Sequence, residues 1–150
     1  MIALVQRVAK AAVSVPSSGY RASIGPGLCV LLGVEAGDEA RDAEWIAGKL
    51  AKLRIFRDDA GRFDRSVVDI EGEILVVSQF TLAGDCRKGN RPSFTSAAPP
   101  ALGRRLYGLA CRELCRQTGR PVRTGRFGAM MNVELVNDGP VTLIVRSREQ

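Results

Sequence analysis

Apolar and polar positions alternate with a period of two in several short stretches and with a period of about 3.6 in two longer ones, so strands and helices are both expected. Residues 2 to 9 follow the first pattern, with Ile2, Leu4 and Val8 set against Ala3 and Val5 and with Gln6 and Arg7 polar, and predict a strand. Val13-Ser14-Val15 predicts a second strand, Pro16-Ser17-Ser18-Gly19 a turn, and Tyr20 to Ile24 a short third strand closed by Gly25-Pro26-Gly27. Gly27 to Val34 is an apolar run too short for a membrane and flanked by glycines, the pattern of a strand buried on both faces.

Helical spacing begins after Gly37-Asp38, where Ala43, Ile46, Ala47, Leu50 and Leu53 form one apolar face. Asp38 is the expected N-cap, and Lys49, Lys52 and Arg54 load the end that a helix dipole makes negative. Arg57 to Arg62 reads as a turn, Phe63 to Ile70 is too weakly patterned to assign, and Glu73 to Leu82 reads as a central strand. A second helix starts at Pro99-Pro100, carries the arc Leu102, Leu106, Leu109, Ala110 and Leu114, and ends at Gly119 and Pro121, with Cys111 and Cys115 as packing residues on it. Met131, Val133 and Leu135 then alternate with Asn132, Glu134 and Val136, and Asn137-Asp138-Gly139-Pro140 turns into Val141 to Val145, which predicts a hairpin or a tight strand-to-strand link. With no repeat or linker to divide it, the chain of residues 1–150 is expected to be one mixed α/β domain.

The central strand is interrupted at its end by Ser78, Gln79 and Thr81 around Phe80, with no turn residue among them. Polar side chains at a strand end, where backbone N–H groups can also face a ligand, mark this stretch for chemistry; the plain alternative is a strand running into a polar loop. A glycine-containing basic loop, Gly84 to Phe94, follows it and carries Arg87, Lys88 and Arg91.

Composition narrows the chemistry. The apolar share of 45% and the charged share of 25% are those of an ordinary globular protein. The chain has no histidine, which excludes a Ser-His-Asp triad, a Cys-His pair and histidine-based zinc sites. The four cysteines (Cys29, Cys86, Cys111, Cys115) show no C-x-x-C spacing, so neither a metal nor another cofactor is expected, and reduced thiols are expected rather than bridges. The N-terminal residues lack a secretory pattern, and a cytoplasmic protein is expected. Of the net charge of +6, the stretch from Leu82 to Arg126 holds +8, with ten basic residues against Asp85 and Glu113, and the rest holds −2. That asymmetry points to a polyanion such as nucleic acid, against the alternative of a solvated basic face. Arg105, Arg112 and Arg116 line up beside the apolar arc of the second helix and join Arg87, Lys88 and Arg91 as candidate RNA contacts. Aromatic residues make up only 5%, which favours contact through phosphates over a stacking platform.

Two motifs in order, Ser78-Gln79-Phe80-Thr81-Leu82 and Asn137-Asp138-Gly139-Pro140-Val141-Thr142, resemble the motif pair of the D-aminoacyl-tRNA deacylases. The likeness also takes in Gln6-Arg7-Val8, Gly27 to Val34, Lys88 to Phe94 and Thr124 to Gly128, and so covers nearly the whole chain. Gly84, Met130 and the longer turn from Pro16 to Tyr20 depart from the family pattern, and none of them touches the two motifs. The resemblance implies a compact, barrel-like fold of mixed β-sheets enclosing two main helices, a homodimer, and hydrolysis of the ester joining a D-amino acid, or mischarged glycine, to tRNA. It also implies help from the 2′-hydroxyl of the terminal adenosine, which fits a chain without histidine. Ser78, Gln79, Phe80 and Thr81 would then orient the ester and bind the oxyanion, with Thr81 as a covalent nucleophile the rival mechanism. Gly139 and Pro140 would reject L-amino acids from the partner subunit's pocket, where the bland alternative is an ordinary hairpin turn. A basic tRNA-binding or regulatory domain without turnover is the alternative function.

Overall fold

A computed structural model of the chain describes residues 1–148. Its main sheet has six strands in the order β2-β1-β3-β6-β7, with β8 paired to the remaining edge of β1. The strands are β1 (Ile2–Val15), β2 (Tyr20–Ile24), β3 (Gly27–Gly33), β6 (Glu73–Ser78), β7 (Arg123–Thr124) and β8 (Asn132–Arg146). A small second sheet joins β4 (Phe56–Arg57) to β5 (Phe63–Arg65), the latter inside the stretch that patterning leaves unassigned.

The two strands expected before Pro16 are one strand of 14 residues. Its first half pairs with β3, from Ile2↔Gly33 to Val8↔Gly27, and its second half with β2, from Ala11↔Ile24 to Val15↔Tyr20. The alternation breaks where the partner changes, at exposed Ala9 and Lys10, and this break imitates a strand boundary.

The expected C-terminal hairpin is also a single strand. Both halves of β8 run antiparallel to β1, from Ile2↔Arg146 to Gln6↔Thr142 and from Val8↔Asn137 to Ser14↔Asn132. Between these blocks residues 138 to 141 have no partner on β1, so Asp138-Gly139-Pro140-Val141 is a bulge within a continuous strand.

The parallel pairs β3–β6 and β6–β7 each need a crossover, supplied by α1 (Ala40–Lys52) and α2 (Pro100–Thr118). The helices pack on each other and on one face of the sheet, where Leu28, Val30, Ile74 and Val76 meet Ile46, Leu50, Leu106 and Leu114. The opposite face rolls around a second cluster that includes Val8, Val13, Cys29, Leu75 and Val77. The roll brings β2 to β7, where the Tyr20 hydroxyl donates to the Thr124 carbonyl at 2.8 Å. The result is the barrel-like mixed α/β architecture expected of the family. Gly27 permits the tight β3–β6 contact, since a Cβ there would lie 1.8 Å from the Glu73 carbonyl oxygen.

Asp38 is not the cap of α1. Glu39 holds that position, in a capping box in which the Glu39 N–H donates to Asp42 Oδ2 at 2.8 Å. Asp38 instead accepts from the Met1 ammonium at 2.6 Å and from the Glu35 N–H at 2.6 Å. The central strand is shorter than expected: β6 stops at Ser78, and Phe80–Ala83 form a 3₁₀ turn. No helix among the described residues is long and apolar enough to cross a membrane.

Candidate active site

The end of β6 opens into a cleft of about 640 Å³ lined by Val77, Ser78, Gln79, Phe80 and Thr81 on one side and by residues from Phe127 to Met131 on the other. Ala98, Pro100 and Val133 complete the wall. All four residues marked for chemistry therefore lie together. Among the described residues none that lines the cleft is ionisable, so these offer hydroxyls, one amide side chain and backbone groups, but no side chain able to serve as a general base near neutral pH.

The passage from strand to 3₁₀ turn sets the geometry. Gln79 N–H still completes the sheet by donating to Leu32 O at 2.9 Å, and Leu82 N–H already donates back to Gln79 O at 3.3 Å. Between them the amides of Phe80 and Thr81 are the first of the turn and have no backbone acceptor among the described residues. The Gln79 side-chain amide donates to the Thr81 hydroxyl, which orients that oxygen without drawing a proton from it. Phe80 is 58% exposed and stands edge-on to Phe94 at 5.3 Å, so the basic loop supports the lip of the cleft.

Gly139 and Pro140 lie elsewhere in the chain. Their peptide bond is cis. Gly139 borders a separate hollow with Arg7, Phe56, Arg57 and Asp138, so within the chain this motif does not line the cleft of Ser78–Thr81. A Cβ on Gly139 would fall 2.7 Å from Val141 Cγ2 and 2.8 Å from Val141 N, at a φ of 152° that favours glycine. Asn137 braces the bulge, its Oδ1 accepting from Val141 N–H at 2.7 Å and its Nδ2 donating to Thr142 Oγ1 at 3.0 Å.

Arg7 is the residue that patterning leaves without a role. It is only 3% exposed, its Nε donates to Asp138 O at 2.8 Å and its Nη1 donates to Ile55 O at 2.6 Å. The signal in the sequence was a basic residue between Val5 and Val8 in the apolar half of β1, whereas the strand's other basic residue, Lys10, is exposed. The far wall of the cleft, Phe127 to Met131, carried no such mark in its patterning, and only Phe127 and Gly128 fell within the family likeness.

The candidate RNA contacts separate into two groups. Arg87 is held by Asp85 at 2.7 Å, which draws the Asp85 carboxyl down to about 2 and pushes the Arg87 guanidinium up. Arg116 is likewise held by Glu113 at 2.7 Å. Lys88, Arg91, Arg105 and Arg112 are exposed and form no ion pair among the described residues.

A family model described as D-Tyr-tRNA(Tyr) deacylase matches residues 4–146. A D-aminoacyl-tRNA deacylase of Geobacter sulfurreducens is 57% identical over 150 residues, covering 100% of this chain and 97% of the relative. One of Heliobacterium modesticaldum is 57% identical over 148 residues, covering 99% and 97%. A solved structure described as a c-Myc DNA unwinding element binding protein superposes with a TM-score of 0.91 at 39% identity, over 99% of this chain and 100% of that one. A probable eukaryotic D-amino acid tRNA deacylase, at 18% identity and a TM-score of 0.85 over 96% and 97%, shares the fold. The match over almost every strand and both helices, together with the two motifs in place, means that the chain belongs to the D-aminoacyl-tRNA deacylase family of hydrolases.

Proposed function

We propose that this protein hydrolyses the ester between a D-amino acid, or glycine, and the 3′ end of tRNA. The observation that carries the mechanism is the cleft itself, which among the described residues has no ionisable lining side chain and is lined by Phe80 and Thr81, whose backbone amides have no backbone acceptor there. An aminoacyl ester is already activated, so the protein has mainly to orient it and to stabilise negative charge on its carbonyl oxygen. Water adds to the ester carbon, the amides of Phe80 and Thr81 hold the oxyanion, and collapse breaks the bond to the ribose oxygen, which takes up the proton that water releases. The adjacent 2′-hydroxyl of the terminal adenosine assists that proton movement in place of a protein base. Ser78 and Gln79 position the ester.

Selection against L-amino acids falls to Gly139 and Pro140 of a second subunit in a homodimer. Three features support this arrangement. Asp138, Gly139 and Pro140 of the bulge are exposed, the bulge lies away from the cleft of its own chain, and β8 is a 15-residue strand whose outer edge has no partner among the described strands. Val136, Leu143 and Ile144 are exposed on β8, and Val133 of the same strand lines the cleft, so a subunit docked on this edge would bring its own bulge near the neighbour's ester.

The test is stereochemical. The wild-type protein should hydrolyse D-Tyr-tRNA and Gly-tRNA and leave L-Tyr-tRNA intact, while enlargement of Gly139 should block all three. Comparable rates on D-Tyr-tRNA and L-Tyr-tRNA would overturn the proposal. Sedimentation should give twice the chain mass of 16.2 kDa, and a fully active monomer would remove the partner's role.

A further inference from the structure

Two arginines flank the cleft, each lying over an aromatic ring. The Arg104 guanidinium, on α2, lies 4.9 Å from the centroid of Phe127, a ring in the cleft wall. The Arg126 guanidinium lies 4.0 Å from the centroid of Tyr20. The rings are anchored. Tyr107 sits 5.8 Å from Phe127 and donates from its hydroxyl to Val76 O at 2.9 Å, while the Tyr20 hydroxyl is bonded to the carbonyl of Thr124. The backbone at Arg126 is pinned as well, because its carbonyl accepts from the Ala129 N–H at 3.1 Å and its N–H donates to Met131 Sδ at 3.3 Å. Ala129 and Met131 both line the cleft, which places Arg126 at its rim.

Both arginines are exposed, and neither is ion-paired with a carboxylate among the described residues. Arg87, Arg116 and Arg120 differ in this respect, each being held by an acid, Asp85, Glu113 and Glu71 respectively. A guanidinium stacked on a ring keeps its edge N–H groups free, and a cation already held in place loses less freedom when it meets an anion. Planar N–H pairs of that kind match phosphate oxygens.

The geometry points to Arg104 and Arg126 as a pair of phosphate contacts for the single-stranded RNA end that leads into the cleft. This rests on the deacylase reading: the esterified adenosine enters the cleft, the nucleotides before it stay outside, and their phosphates must pass the rim. The assignment moves part of the RNA contact from the paired arginines of the loop and of the end of α2 to the start of α2 and the turn after β7.

The experiment measures kcat and KM for D-Tyr-tRNA from about 50 to about 200 mM salt, for the wild type, an Arg104→Gln/Arg126→Gln double variant and an Arg104→Lys/Arg126→Lys double variant. The Gln pair should raise KM roughly tenfold with little change in kcat and flatten the plot of log kcat/KM against log salt by about 1.4, because each single-strand phosphate contact contributes about 0.7. The Lys pair, which keeps the charge, should keep the wild-type slope. With D-tyrosyl-adenosine, which carries no phosphate, the deficit of the Gln pair should disappear. An unchanged slope in the Gln pair, an equal deficit on D-tyrosyl-adenosine, or a Lys pair as impaired as the Gln pair would overturn the assignment and leave the arginines as packing for Phe127 and Tyr20. A wild-type protein inactive on both substrates would instead bring down the deacylase reading, and this assignment with it.

Discussion

The buried guanidinium of Arg7 donates from Nε to the carbonyl oxygen of Asp138 at 2.8 Å, so that a side chain of β1 holds the bulge of β8 that carries Gly139. Its other arm reaches the carbonyl of Ile55, ahead of β4, and ties the bulge to the α1 side of the molecule. Gly139 leaves room for that fork, since a Cβ there would lie 3.2 Å from Arg7 Nη2.

Arg7→Met should therefore lower stability by about 2 kcal/mol, because two carbonyls lose a charged donor and one of them is buried. The freed bulge should also raise hydrolysis of L-Tyr-tRNA relative to D-Tyr-tRNA. Denaturant unfolding checks the first effect, and the ratio of the two deacylation rates checks the second. A stable variant with an unaltered ratio would remove Arg7 from the selective device.

Thr81→Ala should retain substantial activity. The Thr81 hydroxyl accepts from Gln79, no ionisable group among the described residues lines the cleft to take its proton, and the proposed mechanism gives the larger role to its backbone N–H. The loss should be smaller than the roughly 100-fold effect of deleting one oxyanion donor. Complete loss of turnover, or an acyl group trapped on Thr81, would favour the covalent route.

Asp42 links pH to stability. The Arg148 guanidinium beside it, with the Glu39 N–H, holds its carboxyl far below the usual carboxylate range. A group depressed in this way adds stability that is present above its unfolded value of about 3.9 and is lost as pH falls through the lower folded value. Asp42→Asn should cost about 1 kcal/mol near pH 7, the size of a partly exposed ion pair with some loss at the helix cap. The gap between the variant and the wild type should close in strong acid, as urea midpoints measured across the acid range would show.

Cysteine reactivity should be limited to one site. Cys29 is fully buried, which pushes its thiol up to about 11, and burial pushes Cys111 up to about 12. Cys115 is half-buried, and its Sγ accepts from the Val122 N–H. Cys86 alone is exposed. A chromogenic disulfide near pH 8 should show one fast equivalent per folded chain, absent from Cys86→Ser, with the remaining thiols reacting only on unfolding.

Much of this molecule is local in origin and legible along the chain. The turns around Gly19 and Gly25, the buried run of β3 and the apolar arcs of both helices follow from periodicity and breaker residues, which act over a few positions. Ser78, Gln79 and Thr81 stand out locally too, as polar residues that end a buried strand, and they line the cleft. What the tertiary structure decided is everything that depends on a partner distant in sequence. β1 is one strand because β3 and β2 take over from each other along one of its edges, and β8 is one strand because β1 is long enough to pair with both of its halves. The turn chemistry of Asn137-Asp138-Gly139-Pro140 was real, but with β1 spanning both flanks it produced a bulge and not a reversal. The helix cap moved from Asp38 to Glu39 because the Met1 ammonium, far away along the chain, claims the Asp38 carboxylate. Arg7, the far wall of the cleft and the stacked pair Arg104 and Arg126 take their roles from neighbours more than 20 residues away, and no local pattern of apolar and polar residues encodes those distances.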